Sequence, residues 1–329
     1  MRLRYIAFTL IILCSVPVVQ AIDTDRPEVE KFIDQIVEKS DYDRESLKAI
    51  LADAETKQSI LDAISRPAEK SKEWYEYRAI FITEERIKAG VTFWREHEQA
   101  LHRISKETGV SKEILVGIIG VETYFGRITG SYRVIDALAT LAFDYPPRSK
   151  FFSKELREFL LLVLEEDMDA ADATGSYAGA MGRPQFMPSS FRAYAVDSNN
   201  DGKRDIWSNW EDVIGSIANY FVRHHWRHGE DVVTQAALGP KWHGDLPANS
   251  LKPKATVSSL SQQGVMFATS LPADSKAQLI SLQGADAEQY WVGFHNLFVI
   301  TRYNTSVMYA LAVHQLGQKI ALEVGRDPS

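Results

Sequence analysis

One acidic side chain in an apolar helix is the first group in this 329-residue chain with the makings of chemistry. In residues 111–126, SKEILVGIIGVETYFG, Glu122 follows Ile119 and Ile118 by three and four positions and Leu115 by seven, so it shares their helical face. Desolvation on that face raises a carboxyl pKa, and the nearby negative end of the helix dipole acts in the same direction. A carboxylic acid kept protonated near neutral pH is what a general acid requires. The plainer alternative is a buried glutamate paired with an arginine. A second group lies in residues 197–212, DSNNDGKRDIWSNWED. Asp197, Asn199 and Asp201 take positions 1, 3 and 5 of a calcium loop, Gly202 gives the sharp turn, and Lys203 offers its carbonyl. Ser208 stands where the standard loop has its closing Glu, which leaves Glu211 or Asp212 to close a lengthened loop. The alternative is an acidic turn that binds nothing. His224 and His228 stand one turn apart, but HExxH is missing, and HHWRHGE reads as a solvated helix end rather than a zinc site.

These groups need elements to hold them. Ser111 is placed to cap the Glu122 helix and Gly126 to end it. Ile114, Leu115, Val116, Ile118, Ile119 and Val121 are apolar on nearly every side, so the helix belongs inside the fold. Before it, residues 23–70 read as short helices ended near Pro67. Trp74, Tyr77, Ile80 and Phe81 then fall at helical spacing, and an amphipathic run covers 84–108. After it come helical patterns over 134–143 and 151–168, with Tyr145-Pro146-Pro147-Arg148 between them. Residues 175–197, GSYAGAMGRPQFMPSSFRAYAVD, form an ordered loop, with Ser189 or Ser190 placed to cap a short helix. The loop has neither GxGxxG spacing nor a P-loop lysine, which argues against a nucleotide. Its glycines instead let an extended ligand lie against backbone, with Gln185 and Ser176 as sugar hydrogen-bonding groups and Phe186 and Tyr177 as stacking surfaces. A helix resumes over 213–221. From 240 to 299 short strand-like pieces follow at 256–257, 264–269, 278–283 and 290–300. A closing helix over 307–323 is entered through FVITRYNTSVMYA, where Tyr303, Asn304 and Tyr309 cluster.

The first residues read as a secretory signal. Arg2 and Arg4 precede an apolar run over 6–19, and Val19-Gln20-Ala21 offers small residues for cleavage. Cys14, the only cysteine, follows Leu13 rather than a small residue, so a cleaved, soluble periplasmic protein is expected in preference to a lipid-anchored one. Cleavage leaves no cysteine and therefore no disulfide. Loss of Arg2 and Arg4 moves the formal net charge from −7 to −9. An acidic chain without a basic tract argues against nucleic acid as partner. With 45% hydrophobic residues, the mature part can bury a large core.

Taken together, GVETYFG, YAGAMGRPQFMPSSF, the calcium-like loop leading into IGSIANYF, and ITRYNTSVMYA resemble, in order and spacing, the lytic murein transglycosylase B family. The resemblance covers nearly all of the mature chain. It implies a mainly α (α+β) fold: a lysozyme-like helical catalytic core, a helical N-terminal part and a small β-rich insertion. The expected division is 1–21 signal peptide, 22–75 helical part, 76–239 core with calcium loop, 240–299 β-rich domain and 300–329 returning helix. It also implies cleavage of the β-1,4 bond between N-acetylmuramic acid and N-acetylglucosamine in peptidoglycan, leaving a 1,6-anhydromuramoyl end. The family's acid falls on Glu122. Its cleft residues fall on Tyr77, Ser176, Gln185, Phe186, Tyr220, Tyr303, Asn304 and Tyr309, with Arg148 along the same groove. Its calcium ligands fall on Asp197, Asn199, Asp201 and the Lys203 carbonyl, with Asp212 favoured over Glu211 as the last. No cofactor for the chemistry is implied. The expected partners are peptidoglycan strands and other cell-wall enzymes, acting on a monomer. Arg183-Pro184 departs from the small or apolar residues of the family's glycine loop, and the cysteine context departs from its lipoprotein members. Ordinary glycoside hydrolysis needs two carboxylates, and only one stands in these motifs. That fits an attack by the muramoyl 6-hydroxyl on C1 of its own ring, with Glu122 first acid and then base. The rivals are a lysozyme-type hydrolase, an inactive peptidoglycan-binding scaffold and a calcium-dependent structural protein.

Overall fold

The computed structural model describes residues 20–66, 72–246 and 249–326. The signal-like residues 1–19 and Pro67 lie outside them.

A helix that is apolar all round must be covered all round, and the helix Lys112–Thr123 is, with Ile114 through Val121 all buried. The closing helix Val307–Arg326 lies along it, and the helices Glu84–Glu96, Glu98–Thr108 and Trp210–Arg223 also pack against it. Glycines permit the closest of these contacts. A Cβ at Gly317 would stand 2.0 Å from Glu113 O, and one at Gly117 would stand 2.4 Å from Val313 O. The two helices therefore meet backbone to backbone, which no larger residue allows.

The ends of the central helix differ from expectation. Ser111 occupies the N-cap position but makes no side-chain cap bond, and its carbonyl accepts instead from Ile114 N and Leu115 N. Gly126 does not end the helix alone. Tyr124 and Phe125 already turn left-handed at φ 50° and 58°, followed by Gly126 at 80°. Such a backbone costs a non-glycine residue roughly 1–2 kcal/mol. Packing offsets it: the Phe125 ring stacks on Phe93 at 5.5 Å, and the Tyr124 ring lies between the Arg86 and Arg127 guanidiniums at 4.7 and 5.0 Å.

The N-terminal helices Pro27–Val37, Arg44–Asp53 and Gln58–Ile64 lead to the core helix Val134–Phe143. That junction is polar: buried Asp136 accepts from Glu55 N at 2.9 Å, and Arg26 pairs with Asp144 at 2.8 Å. Five antiparallel strands form one sheet in the order Ala255–Thr256, Lys276–Gln283, Glu288–Gly293, Val233–Leu238 and Val265–Met266. Two of the strand-like pieces prove partly helical. Val257 begins the helix Val257–Gln262, and residues 290–300 divide into the strand Glu288–Gly293 and the helix His295–Ile300. The run Leu297–Ile300 is buried on all sides, and a short continuous apolar run does not distinguish strand from helix by periodicity.

On the closing helix, burial pushes the His314 imidazole down to about 4 from an ordinary 6.5. The unfolded chain therefore binds a proton that the folded chain refuses as pH falls from about 6.5 towards 4, and stability drops across that window. Because the ring is not wholly enclosed, we expect about 2 kcal/mol from this residue. Urea unfolding at pH 7 and pH 4.5 checks it: His314→Gln should show a smaller acid loss than the parent by that amount, and an equal loss would refute it.

Candidate active site

Glu122 sits in the last turn of the central helix, half-buried at the edge of the core. The Tyr309 hydroxyl, carried by the first turn of the closing helix, donates to Glu122 Oε1 at 2.5 Å. The backbone contact between the two helices is what brings them within reach. Burial first, then the charge of Glu122, holds the Tyr309 phenol well above its usual 10, so it remains a donor at any working pH. The Tyr303 phenol is raised for the same two reasons and donates to Pro184 O at 2.6 Å. Tyr77 is buried close to Tyr309, its ring 5.2 Å from that of Phe81.

Beside Tyr303 runs a groove of about 590 Å³ that gathers Arg148, Gln185, Phe186, Tyr220 and Asn304. The rings of Phe186, Tyr220 and Tyr303 lie within 4.9–5.8 Å of one another. Tyr220 donates to Arg302 O at 2.6 Å. Arg148 lies over the Phe151 and Phe152 rings at 4.5 and 4.9 Å. Ser176 does not line this groove, although its neighbour Ala178 does. Its Oγ accepts from Ala178 N at 3.3 Å and Ala180 N at 3.1 Å, which closes the turn and leaves its hydroxyl hydrogen available. Gln185, left-handed at φ 54°, donates both amide hydrogens to backbone, at Thr129 O (3.0 Å) and Gly182 O (2.8 Å). A ligand can therefore use only its carbonyl oxygen.

Two further residues shape the site, Glu155, which did not stand out in the sequence, and Arg183, which stood out only as a departure. Glu155 is the one carboxylate among the groove's lining residues, and both its oxygens are engaged, Oε2 by Ser189 N at 3.0 Å and Oε1 by Ser189 Oγ at 2.8 Å. Ser189 and Ser190 both lie inside the helix Pro188–Tyr194, whose N-cap position is held by Met187, so neither caps it. A signal for Glu155 existed, because it stands three residues after Phe152 and four before Phe159, on that helix's apolar face. Arg183, the departure within the glycine loop, spreads over the Trp210 ring at 4.0 Å and donates to Ser208 O at 2.7 Å. Its own carbonyl accepts from Thr123 Oγ1 at 3.1 Å, beside Glu122. It therefore ties the loop to both the central helix and the acidic segment.

In that segment carboxylate oxygens of Asp197, Asp201 and Asp212 lie within 4.8 Å of one another, the only such group of three found among the described residues. None of the three forms an ion pair there. Asp212 is fully buried, its carboxyl raised chiefly by burial while Ser198 N and Asp205 N donate to it at 2.7 and 2.9 Å. Glu211 instead pairs with Arg103 at 2.5 Å, so it is directed elsewhere. Asn199 Oδ1 accepts from Asp201 N at 3.2 Å, Lys203 N donates to Asp201 Oδ1 at 2.9 Å, and Gly202 turns at φ 89°. Clustered carboxylates without a compensating cation suit a hard, oxygen-seeking ion.

A lysozyme-like helical core with one half-buried acid beside an aromatic, amide-lined groove defines an enzyme that cleaves glycan strands. The profile described as "Transglycosylase SLT domain" matches residues 24–318. The chain is 42% identical over 309 residues to membrane-bound lytic murein transglycosylase B of Escherichia coli (strain K12), covering 91% of this chain and 84% of that protein. The crystal structure of soluble lytic transglycosylase SltB1 from Pseudomonas aeruginosa superposes with a TM-score of 0.87 at 51% identity, covering 91% of this chain and all of that one. Escherichia coli lytic transglycosylase Slt35, solved in complex with calcium, gives 0.81 at 42% identity over 92% of this chain and 95% of that one. The chain belongs to the transglycosylase SLT family and is a lytic transglycosylase acting on peptidoglycan.

One expectation is corrected here. The E. coli relative is membrane-bound, so the preference for a cleaved, unanchored periplasmic protein does not stand. That preference rested on the residue before Cys14, a single position outside the described residues. Among the described residues no helix is long and apolar enough to cross a membrane.

Proposed function

We propose that Glu122 is the sole acid and base of a non-hydrolytic cleavage between N-acetylmuramic acid and N-acetylglucosamine. The observation that carries this reading is the state of the other carboxylate: Glu155, in the groove wall, has both oxygens occupied by Ser189. A hydrolase of either stereochemistry needs a second available carboxylate. Glu122 gives its proton to the leaving glycosidic oxygen as the bond to C1 breaks. The muramoyl O6 then bonds to C1, and its proton returns to Glu122. The ring closes as a 1,6-anhydro sugar, and no water is consumed. With Tyr309 donating to Oε1, the transferred proton resides on Oε2. Phe186, Tyr220 and Tyr303 provide the face for the sugar; Asn304, Arg148 and the Gln185 carbonyl hold its polar groups, Ser176 closes the turn that carries Ala178 to the groove wall, and Tyr77 backs Tyr309. The enzyme acts as a monomer in this reading, and association with other cell-wall enzymes would use other surfaces. Mass analysis of digested sacculi tests the chemistry. Products one water lighter than hydrolytic muropeptides are expected, and digests bearing only free reducing ends would overturn it.

The acidic segment is a structural calcium site in this reading. Asp197, Asn199, Asp201 and Asp212 hold the ion with the Lys203 carbonyl, and it offsets the repulsion around buried Asp212. Removing a ligand present at a hundred times its Kd costs about 2.7 kcal/mol, so chelation should lower the melting temperature by about 5 °C or more. Muropeptide release at 25 °C should persist, because none of the residues that would hold the ion lines the sugar groove. An unchanged melting temperature after chelation and dialysis would sink the assignment.

A further inference from the structure

A second groove, of about 600 Å³, lies where the helix Trp74–Phe81 and the closing helix meet the sheet. Its walls combine Trp74, Tyr75 and Trp291 with the amides of Gln235, Gln289 and Gln315, and they carry no carboxylate among the described residues. Trp74 Nε1 donates to Gln289 Oε1 at 3.1 Å, and Arg78 Nε donates to Gln315 Oε1 at 2.7 Å. Both amide oxygens are thereby fixed, and the amide hydrogens remain as donors. Within the same walls Trp291 Nε1 and His314 Nδ1 are shielded from solvent with no hydrogen-bond partner among the described residues, a costly state for buried polar atoms. His314 stays a neutral imidazole, as its burial requires.

The groove is not isolated from the reaction site. Thr305 lines both the groove beside Tyr303 and a neighbouring one of about 450 Å³, and Trp74 lines that neighbour as well as the second groove. The three depressions thus share lining residues in turn, Thr305 between the first two and the buried Trp74 between the last two. Aromatic faces suit the apolar faces of pyranose rings, and uncharged N–H donors suit acetamido carbonyls.

We propose that this second groove is a glycan subsite outside the reaction groove, binding N-acetylated amino-sugar units between the Tyr75–Trp291 wall and the glutamine amides. The proposal rests on the reading of the groove beside Tyr303 and Glu122 as the site of glycan cleavage. Calorimetric titration of the Glu122→Gln protein with the β-1,4-linked tetramer of N-acetylglucosamine tests it. Two sites per chain are expected. Replacing the exposed Gln235 and Gln318 together by alanine should weaken one site by about tenfold and leave the other unchanged. A one-site titration, or two sites indifferent to the double replacement, would overturn the subsite. Repeating the titration with longer soluble strands distinguishes the source of the sugar. A single, tighter stoichiometric site means the strand being cut continues into the second groove, whereas two sites at every length mean a neighbouring strand. If Glu122→Gln still released muropeptides, the catalytic reading would fail instead, independently of how many sugars bind.

Discussion

Glu122→Gln should lower muropeptide release from sacculi by about a thousandfold, the usual range for a positioned acid and base, while binding a soluble glycan within about threefold of the parent. The replacement keeps the shape and an oxygen for Tyr309 to donate to, so its hydroxyl, 2.5 Å from Oε1, need not be left unpaired. What it removes is the transferable proton. In the proposed cycle that one group acts twice, once to protonate the leaving oxygen and once to receive the O6 proton, and Glu155 in the groove wall cannot substitute because Ser189 holds both its oxygens. Release and binding are therefore expected to separate cleanly. Turnover retained to within tenfold would mean that another group is the acid. Loss of binding together with turnover would mean that Glu122 holds the sugar rather than reacts with it.

The second large effect is on stability. Gly317→Ala should destabilise the protein by about 3 kcal/mol or more, because it forces a methyl group into backbone rather than into a movable side chain. The added Cβ would meet Glu113 O at 2.0 Å and Glu113 C at 2.7 Å. The closing helix must then shift from the central helix, and the melting temperature should fall by about 10 °C. Since the same contact sets Tyr309 against Glu122, the surviving folded protein should also be less active. Gly325, on the same helix, provides the control: nothing among the described residues lies within 4 Å of its added Cβ, so Gly325→Ala should be neutral or slightly stabilising. Equal melting temperatures for the two variants would refute the backbone-contact account.

The helical core was legible because its signals are local. An apolar run such as Ile114–Val121 has to be covered, and its spacing says helix whatever covers it. The aspartates of DSNNDG announced their own cluster because a tight turn brings neighbours in sequence together in space. Where signals were local but degenerate, reading failed. The stretch ending in Leu297–Ile300 passed for strand because a short apolar run has no period, and Ser189 passed for a cap because its bond to Glu155 spans 34 residues. The fate of the N-terminal segment was also misjudged, since attachment is a matter of processing rather than of folding.

By itself the sequence determined that a lone acid stands in an apolar helix, that an acidic loop follows a glycine-rich one, and that aromatic residues cluster before the last helix. It could not say that Tyr309, 187 positions away, would donate to Glu122, that Glu211 would pair with Arg103, or that Gln185 would give both amide hydrogens to backbone. Those outcomes depend on which backbones can approach to within van der Waals contact. Gly117 and Gly317 permit that approach, but their partners, Val313 O and Glu113 O, are fixed only once the helices have packed.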